Sequence, residues 1–329
     1  KYTADKFVLA TGANALTFPG FLKEDPRFLI ADNIFELKQM PESILIVGAG
    51  PVGVEFASFF NAFGVQVTIV DAADSFLNFY DSDLGKTLIS EFNKQGIQTY
   101  TKTLVQEIDS SDPKILKAKL SNGQTIEAQN VLSAIGLLPD LEYTKALDLE
   151  SEKRRLLVNE NYQTKHEHIY AIGDVIGLSG SAYGAEREGL FVAHHILGEY
   201  ADYYKVPYEH FPDPVFTYPE IATVGYSCEQ LDELGVEYTT AKSFYLANPK
   251  AFLTGKTEGF CKIIADSKTG ELLGAHIIGL HATEIVHMLT IPVMQRMKIS
   301  DLRRMVYGHP VAMEVVKDAI VECYKKMNS

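Results

Sequence analysis

The stretch SILIVGAGPVGVEFASFFNAFGVQVTIVD, residues 43–71, forms a strand–helix–strand pattern from which the fold can be inferred. It begins with Ser43–Val47, a short apolar run typical of a buried parallel strand. After a glycine-rich turn, apolar residues recur at helical spacing over Val54–Phe63. A second apolar run, Val65–Val70, ends at Asp71. The order and lengths of these segments predict a complete βαβ unit of about 30 residues.

The turn between strand and helix, GAGPVG, has the pattern G-x-G-x-x-G. In such a turn Gly48 permits the tight bend, Gly50 lets the backbone approach a pyrophosphate, and Gly53 allows the helix to pack closely on the strand. The first helical residues, Pro51 and Val52, follow at a helix N-terminus, whose free N–H groups and positive dipole end attract phosphates. The turn therefore predicts a dinucleotide-binding site, the alternative being a turn that needs small residues for packing only.

Asp71 lies at the end of the second strand, 23 residues after Gly48. A carboxylate at this position can accept a hydrogen bond from the 2′-hydroxyl of an adenosine ribose. The next residues, Ala72, Ala73 and Asp74, include no Arg or Lys that could bind a 2′-phosphate. The segment therefore predicts NAD rather than NADP.

Composition and charge exclude several other classes of protein. The 329 residues carry 30 basic and 43 acidic side chains, and this net charge of −13 disfavours nucleic acid or an anionic membrane as a partner. No apolar run approaches the ~18 residues of a membrane span. Cys228, Cys261 and Cys323 form no close pair, and we interpret them as small buried side chains in a reducing compartment. We expect a cytoplasmic protein without a metal site.

The remaining sequence alternates strand-like and helical segments, which indicates the α/β class. A helix is predicted over Ser82–Lys94, and the dipeptide Asn122–Gly123 predicts a β-hairpin. The segment 137–163 is polar and predicts a loop. We interpret Phe211–Pro214 as a linker into an α+β C-terminal domain, whose last helix is predicted over Val311–Lys325.

Seven spaced motifs together resemble the FAD-dependent pyridine nucleotide–disulfide oxidoreductases. They occur in the order known for that family and cover nearly the whole chain, so the set is far more specific than any one motif. The motifs are Ala10–Gly12 (ATG), Gly48–Glu55 (GAGPVGVE), Ala134–Pro139 (AIGLLP), Ala171–Val175 (AIGDV), Thr217–Gly225 (TYPEIATVG), Gly274–Gly279 (GAHIIG) and His309–Glu314 (HPVAME).

The resemblance implies a domain organisation that the spacing alone does not give. A Rossmann-type NAD-binding domain, residues 41–136, is inserted in a partial FAD-binding domain made of residues 1–40 and 137–210. An α+β dimerisation domain, residues 211–329, follows. Because the family's first G-x-G-x-x-G and its C-x4-C cysteine pair are missing and the sequence starts abruptly at Lys1, we expect that a front segment is absent.

Cofactor-binding residues follow from the resemblance position by position. Asp174 is expected to bind the ribityl chain of FAD, the alternative being a turn or capping residue after a strand. Glu55 matches a glutamate that helps to place the nicotinamide, but an acid in a first helical turn is also favourable to the dipole. Relatives often carry a large residue at Pro51. The residues assigned to FAD are Thr11, Gly12, Asp174 and Ala182. Those assigned to NAD are Gly48, Gly50, Pro51, Val52, Gly53, Glu55, Asp71 and Gly136.

His309 and Glu314 match the C-terminal pair of the disulfide reductases. The chemistry needs a base that exchanges a proton with a thiol, and a carboxylate that holds the imidazole in the right tautomer. Pro310 suits a first helical turn, which predicts His309 at the helix entrance and Glu314 one turn in. In the family this pair acts in the other subunit's active site, which implies a homodimer. The alternative is a surface histidine at a helix end.

The resemblance implies an NAD-linked oxidoreductase that acts on a lipoyl-bearing or other disulfide substrate, most similar to the dihydrolipoamide dehydrogenases. Two alternatives stay open: a flavoprotein similar to the soluble pyridine nucleotide transhydrogenases, which usually lack the histidine at position 309, and a non-catalytic NAD-binding and dimerisation module. Without the cysteine pair, we expect the 329-residue chain alone to be inactive in dithiol–disulfide exchange.

Overall fold

The computed structural model describes residues 3–199 and 205–329. They form two compact units. The first contains the described residues up to Leu16 and those from Gly136 to Tyr208, and the second contains Thr17–Ile135 and Glu209–Ser329. Strands are numbered β1–β19 and helices α1–α8 along the chain. The division into three domains made of four chain segments, which the resemblance implies, stays a prediction.

The first unit contains short strands and one long helix. Parallel β1 and β14 pair with each other, as do antiparallel β2 with β11 and β12 with β13. The helix α3 begins after Ser181, whose side chain accepts a hydrogen bond from the Gly184 N–H, and ends at Gly198 in the left-handed conformation. The bounds are β1 Phe7–Leu9, β2 Ala13–Ala15, β11 Leu137–Pro139, β12 Ser151–Glu152, β13 Arg155–Leu156, β14 Ile169–Ala171 and α3 Ala182–Leu197. The segment 137–163 therefore contains three short strands, where the sequence predicted only loop.

The second unit contains a five-stranded parallel sheet, here called the parallel sheet, with strand order β3-β10-β4-β5-β6. Its bounds are β3 Phe28–Leu29, β4 Ser43–Val47, β5 Gln66–Val70, β6 Gln98–Tyr100 and β10 Asn130–Ser133, with helices α1 Pro51–Ala62 and α2 Ser82–Lys94. The βαβ unit, β4 and α2 are confirmed, while α1 begins at Pro51, three residues before the predicted start. The apolar run of β4 is buried because helices cover a parallel sheet.

A three-stranded antiparallel sheet is inserted between β6 and β10. It consists of β7 Val105–Asp109, β8 Leu116–Leu120 and β9 Thr125–Ala128. In β8, Leu116, Ala118 and Leu120 are buried while the two lysines between them are exposed, the alternation of a half-buried strand. The predicted hairpin at Asn122–Gly123 joins β8 to β9.

The C-terminal part of the second unit is an antiparallel sheet, here called the C-terminal sheet, with strand order β15-β16-β19-β18-β17. Helices α6 and α8 pack on it around a core that includes Cys261 and Cys323, both buried as predicted, whereas Cys228 is partly exposed. The bounds are β15 Asp213–Val215, β16 Ile221–Gly225, β17 Tyr238–Phe244, β18 Phe260–Asp266, β19 Leu272–Ile278, α4 Cys228–Leu234, α5 Pro249–Thr254, α6 Ala282–Met294, α7 Ile299–Leu302 and α8 Glu314–Met327.

Two predictions in this region are wrong. Phe211–Pro214 is not simply a linker, because Asp213–Val215 is a strand at the end of the sheet order, and edge strands are where a proline is tolerated. The last helix begins at Glu314 instead of Val311, and Pro310 precedes it by four residues after a cis peptide bond. Pro310 therefore does not occupy the first helical turn.

Candidate functional site

The glycine turn after β4 is closed by backbone contacts that leave no room for side chains. A Cβ added to Gly48, which has a φ of +106°, would collide with the carbonyl group of Ala134, the residue that follows the neighbouring strand β10. A Cβ added to Gly53 would collide with the carbonyl oxygen of Gly48. These two glycines are therefore required by the turn itself, as the sequence motif predicts.

Gly50 is different from the other two glycines of the motif. It has an ordinary φ of −74° and caps α1, and an added Cβ would meet no atom within 4 Å. Pro51 and Val52 then open the helix, whose first-turn N–H groups have no helical acceptor. A small open position at a helix N-terminus fits a pyrophosphate, so these residues are suited to hold the phosphates of NAD.

Asp71 follows β5 directly, and its carboxylate is held against the glycine turn. One carboxylate oxygen accepts a hydrogen bond from the Ala49 N–H at 2.6 Å, and the other accepts one from the Ala73 N–H at 2.7 Å. Each oxygen keeps a further lone pair that a ribose hydroxyl can use. The structure thus brings together Asp71 and the glycine turn, and the ribose-binding role of Asp71 stays a prediction.

Glu55 is the fifth residue of α1, so it lies beyond the first helical turn and the simple dipole explanation does not apply. Its carboxylate accepts a hydrogen bond from the Phe216 N–H at 2.9 Å. Burial raises the pKa of Glu55, helped by the nearby charge of Asp213 and opposed by this hydrogen bond. The glycine turn, residues 48–53, is here called the nucleotide cradle. A half-buried carboxylate of raised pKa in the helix that follows it is a candidate for contact with a ligand.

His309 and Glu314 are in contact, as the sequence predicted. His309 Nδ1 lies 3.1 and 3.2 Å from the two carboxylate oxygens of Glu314, which also accept hydrogen bonds from the Val311 N–H and the Lys317 ammonium at 3.2 Å. Burial acts to raise the pKa of Glu314, but these hydrogen bonds outweigh it, so the pKa is lowered. Because a carboxylate only accepts, Nδ1 carries the proton and Nε2 is left as the basic nitrogen.

The two members of this pair differ in exposure. The His309 side chain is 67% exposed and that of Glu314 only 8%. An exposed imidazole held by a buried carboxylate can exchange protons with a group that approaches from outside the subunit. The catalytic role of the pair stays a prediction.

The residues predicted to bind FAD lie in the first unit. Thr11 and Gly12 follow β1, and Asp174 follows β14. Because these strands are parallel neighbours, the three residues lie at the same edge of the sheet, where the carboxyl ends of both strands meet. Asp174 is half-buried, and its carboxylate accepts no hydrogen bond from the described part of the chain. Ala182 is the first residue of α3. A free carboxylate and a helix N-terminus at such an edge fit the hydroxyls and phosphates of a flavin nucleotide.

Gly136, which the sequence assigned to NAD, is the first residue of the part of the first unit that follows the parallel sheet. It has a φ of +118°, which favours glycine, and its carbonyl oxygen accepts a hydrogen bond from the Leu16 N–H at 2.9 Å. This bond joins the strands β2 and β11. A backbone role is therefore visible, and a contact with NAD stays a prediction.

Sequence reasoning missed a charged cluster in the second unit. Lys262 is buried within the apolar run FCKIIAD of β18, where it contacts Asp81 and Asp83 of the segment before and within α2. A lysine in the middle of a buried strand was the available signal, since such a residue needs a partner. Among residues 3–199 and 205–329, no group of three His, Cys, Asp or Glu side chains is placed to hold a metal ion.

A glycine cradle at a helix N-terminus, its acidic partner and a C-terminal antiparallel sheet define a dinucleotide-binding oxidoreductase fold. The family described as pyridine nucleotide-disulphide oxidoreductase matches residues 1–189, and the dimerisation domain of that family matches residues 211–320. The chain belongs to the pyridine nucleotide–disulfide oxidoreductase family. Members of this family use FAD and NAD(P) as cofactors.

Individual relatives agree with this assignment. The chain is 32% identical to dihydrolipoyl dehydrogenase 2, mitochondrial, of Arabidopsis thaliana over 97% of its own length and 64% of that protein. It is 36% identical to the soluble pyridine nucleotide transhydrogenase of Aliivibrio fischeri over 87% of its length and 61% of that protein. The crystal structure of LpdA from Mycobacterium tuberculosis superimposes with a TM-score of 0.87 at 25% identity, covering 97% of this chain and 70% of that one.

The chain thus spans less than two thirds of the length of these two curated relatives. Within the described residues, no helix is long and apolar enough to cross a membrane. The expected α/β fold and the family are confirmed.

Proposed function

We propose that this protein is an FAD-dependent, NAD-linked dithiol–disulfide oxidoreductase of the dihydrolipoyl dehydrogenase type, which oxidises a dihydrolipoyl group and reduces NAD. The observation that carries the proposal is the contact between His309 Nδ1 and Glu314, which gives a chain with an NAD cradle a base suited to thiols. The homodimer and a reducing, cytoplasmic location belong to the same proposal. They are supported by the dimerisation domain and by three free cysteines.

The chain's own residues divide the binding work between the two cofactors. Asp71 accepts the hydrogen bond of the adenosine 2′-hydroxyl, and the N-terminus of α1 after Gly50 receives the pyrophosphate. Glu55 lies beside the nicotinamide. Asp174 accepts a ribityl hydroxyl at the sheet edge that also carries Thr11. Bound FAD supplies the two-electron transfer between thiol and nicotinamide.

The proton chemistry falls to His309. Its Nε2 takes the proton of a dihydrolipoyl thiol and so generates the thiolate, which is the nucleophile in disulfide exchange. Glu314 keeps the proton on Nδ1 and stabilises the imidazolium that results. The exposed His309 is presented to the active site of the second subunit, which makes the homodimer part of the catalytic unit.

The proposal is tested on the protein at its native length, purified from its source cells. We expect a flavin absorbance band, and its absence would contradict the enzyme assignment. In the His309→Gln variant we expect dihydrolipoamide oxidation to fall by roughly 10²- to 10⁴-fold, the usual contribution of a positioned base. NADH oxidation by an artificial acceptor should stay within about twofold, because that reaction needs no thiol proton transfer. An equal loss of both activities would show that His309 is structural.

A second candidate function is a flavoprotein that transfers hydride between pyridine nucleotides. The relative from Aliivibrio fischeri, which carries that name, favours it. The two functions predict different results for the same variant. If native-length protein reduces an NADP analogue with NADH and the His309→Gln variant does so equally well, while neither oxidises dihydrolipoamide, the transhydrogenase function is the correct one.

A further inference from the structure

A row of polar side chains crosses the C-terminal sheet from one edge to the other. Its members are directly aligned across neighbouring strands, so their side chains lie on one face of the sheet. This set, here called the transverse row, consists of Asp213 on β15, Thr223 on β16, His276 on β19, Lys262 on β18 and Lys242 on β17. Thr223, His276 and Lys262 are buried, although the interior of a sheet normally selects apolar residues.

The lysines of the transverse row bind the beginning of helix α2. The Lys262 ammonium lies 2.7 and 2.9 Å from the two carboxylate oxygens of Asp81 and 2.7 Å from Asp83. Lys242 lies 2.8 Å from the same Asp83 carboxylate. Lys262 is 5% exposed and Asp81 is fully buried, so neither charge can be satisfied by water if its partner is removed.

The same row holds the segment just before α2. The hydroxyl of Tyr80 donates a hydrogen bond of 2.7 Å to Asp213 at the edge of the row. Burial raises the pKa of Asp213, opposed by this hydrogen bond. The turn Tyr80–Asp83 is therefore attached to the C-terminal sheet at three members of the row.

The other end of that segment is attached to the nucleotide cradle. Asp71 accepts its hydrogen bond from the Ala49 N–H, and Leu77 donates one to the Ala49 carbonyl oxygen at 3.0 Å. The Tyr80 N–H in turn donates to the Leu77 carbonyl oxygen at 2.9 Å. A Cβ on Gly85 of α2 would collide with the Phe76 carbonyl oxygen, so the segment is packed tightly against the helix as well. Hydrogen bonds thus lead from Asp71 through Ala49 and Leu77 to Tyr80, and the next residue along the chain, Asp81, binds Lys262.

We propose that Lys262 is a positioning residue for nucleotide binding: through Asp81 it fixes the segment from Asp71 to Asp83, so that the Asp71 carboxylate faces the adenosine ribose. This proposal rests on the proposed function of the glycine turn and Asp71 as the NAD site. Lys262 itself contacts no nucleotide in this account. Loss of its charge leaves the Asp81 carboxylate buried without a counter-charge, held only by the Asp83 N–H, so the turn moves to bring that carboxylate to water, and Asp71 moves with it.

The test uses the 329-residue chain and two ligands, NADH and NADH that lacks the 2′-hydroxyl of the adenosine ribose. Binding is followed by titration calorimetry in the wild type, in Lys262→Met and in Lys268→Met. Lys268 is the matched control, because it pairs with Glu237 on the surface of the same domain. Circular dichroism checks that each variant is folded.

We expect Lys262→Met to bind NADH about 10-fold more weakly, within the usual range for coupling between sites. In the wild type, removal of the 2′-hydroxyl should weaken binding about 10-fold, the effect of a hydrogen bond to a charged group. In Lys262→Met that ratio should shrink to about twofold, because a displaced Asp71 cannot use the hydroxyl. Lys268→Met should keep the affinities of the wild type.

Several results would overturn the proposal. If Lys262→Met weakens both ligands equally, its effect is general charge or stability and not the position of Asp71. An Asp71→Ala variant separates a failure of the proposed NAD site from a failure of the positioning role of Lys262. If Asp71→Ala leaves NADH affinity unchanged, the proposed NAD site is wrong, whereas if it weakens NADH and Lys262→Met keeps the wild-type ratio, only the positioning role is wrong.

A second variant replaces Lys262→Met if that protein does not fold. Asp81→Asn keeps the size of the side chain and removes the charge that Lys262 binds, while Asp83 stays as a partner of the lysine. We expect the ratio between the two ligands to shrink by about threefold in Asp81→Asn. An unchanged ratio in a folded Asp81→Asn variant would overturn the proposal by itself.

Discussion

The nucleotide cradle and the His309–Glu314 pair are built in opposite ways. The cradle is made of backbone: carbonyl groups lie where side chains on Gly48 and Gly53 would be, and Asp71 beside it accepts hydrogen bonds from two backbone N–H groups. The pair is made of side chains, with an exposed His309 attached to the fold through one buried carboxylate. A binding site for a large, constant ligand can be rigid, whereas the base proposed to serve another subunit must be accessible. Side chains added at Gly48 or Gly53 should therefore damage the fold, whereas loss of His309 should change the chemistry and leave the fold intact.

The largest effect is expected from a side chain added at Gly53. In Gly53→Ala the new methyl group meets the Gly48 carbonyl oxygen, so the helix must move from the strand. We expect the free energy of unfolding to fall by about 3 kcal/mol, as for an overpacked core, when it is measured by urea denaturation. NADH binding should be lost as well.

Gly50→Ala is the matched control, since its methyl group meets no protein atom. Its stability should stay within about 0.5 kcal/mol of the wild type. NADH affinity should nevertheless fall at least about 10-fold, because the methyl group occupies the place of the pyrophosphate. If Gly50→Ala bound NADH normally, the turn would serve packing only.

A smaller effect is expected from Asp71. In Asp71→Ala, NADH binding should weaken by about 1–3 kcal/mol, from the loss of a hydrogen bond to a charged group. Fluorescence titration with NADH measures it. Asp74, exposed in the same segment, gives the control Asp74→Ala, for which no change is expected. Equal effects of the two substitutions would mean that Asp71 acts only through its charge.

The smallest effect is the pH-dependent contribution of Glu314 to the free energy of unfolding. Because hydrogen bonds lower the pKa of Glu314 below its ordinary value, the ionised form stabilises the fold above about pH 5, and this contribution is lost as the pH falls. We expect Glu314→Gln to be about 1 kcal/mol less stable than the wild type at pH 7 and the difference to shrink at a pH below the ordinary pKa of a glutamate.

Urea denaturation at both pH values measures this difference. Glu322→Gln on the exposed face of the same helix is the control and should show no such difference. A difference for Glu314→Gln that stays constant with pH would contradict stabilisation of the fold by the ionised Glu314 carboxylate.

The part of the fold that could be predicted from the sequence is the part with local signals. A continuous apolar run marks the strand Ser43–Val47, and the Asn122–Gly123 dipeptide marks the hairpin. The helix Ser82–Lys94 is likewise marked by its own sequence pattern. The strand Asp213–Val215 could not be recognised, because its aspartate and proline, with a further proline just before them, indicate a loop unless a neighbouring strand pairs with it. In the candidate site only the glycine turn and Asp71 carry such local signals, whereas the FAD residues and the His309–Glu314 pair follow from the resemblance to the family.

The transverse row could not be predicted, for a related reason. Asp81 and Lys262 are 181 residues apart in the sequence, and nothing near either residue indicates the other. Only the sheet register places Lys262 over the start of α2. Long-range polar contacts of this kind depend on tertiary structure, which a single sequence does not encode in any local pattern.

The central claim is that the cradle and Asp71 form a site for NAD, and the ratio of NADH to NADPH affinity tests it most directly. Both ligands are titrated against the 329-residue chain at fixed ionic strength. The account predicts that NADH binds at least about 10-fold more tightly, because the Asp71 carboxylate accepts the 2′-hydroxyl and repels a 2′-phosphate. Equal or tighter binding of NADPH, or no binding of either nucleotide, would contradict it.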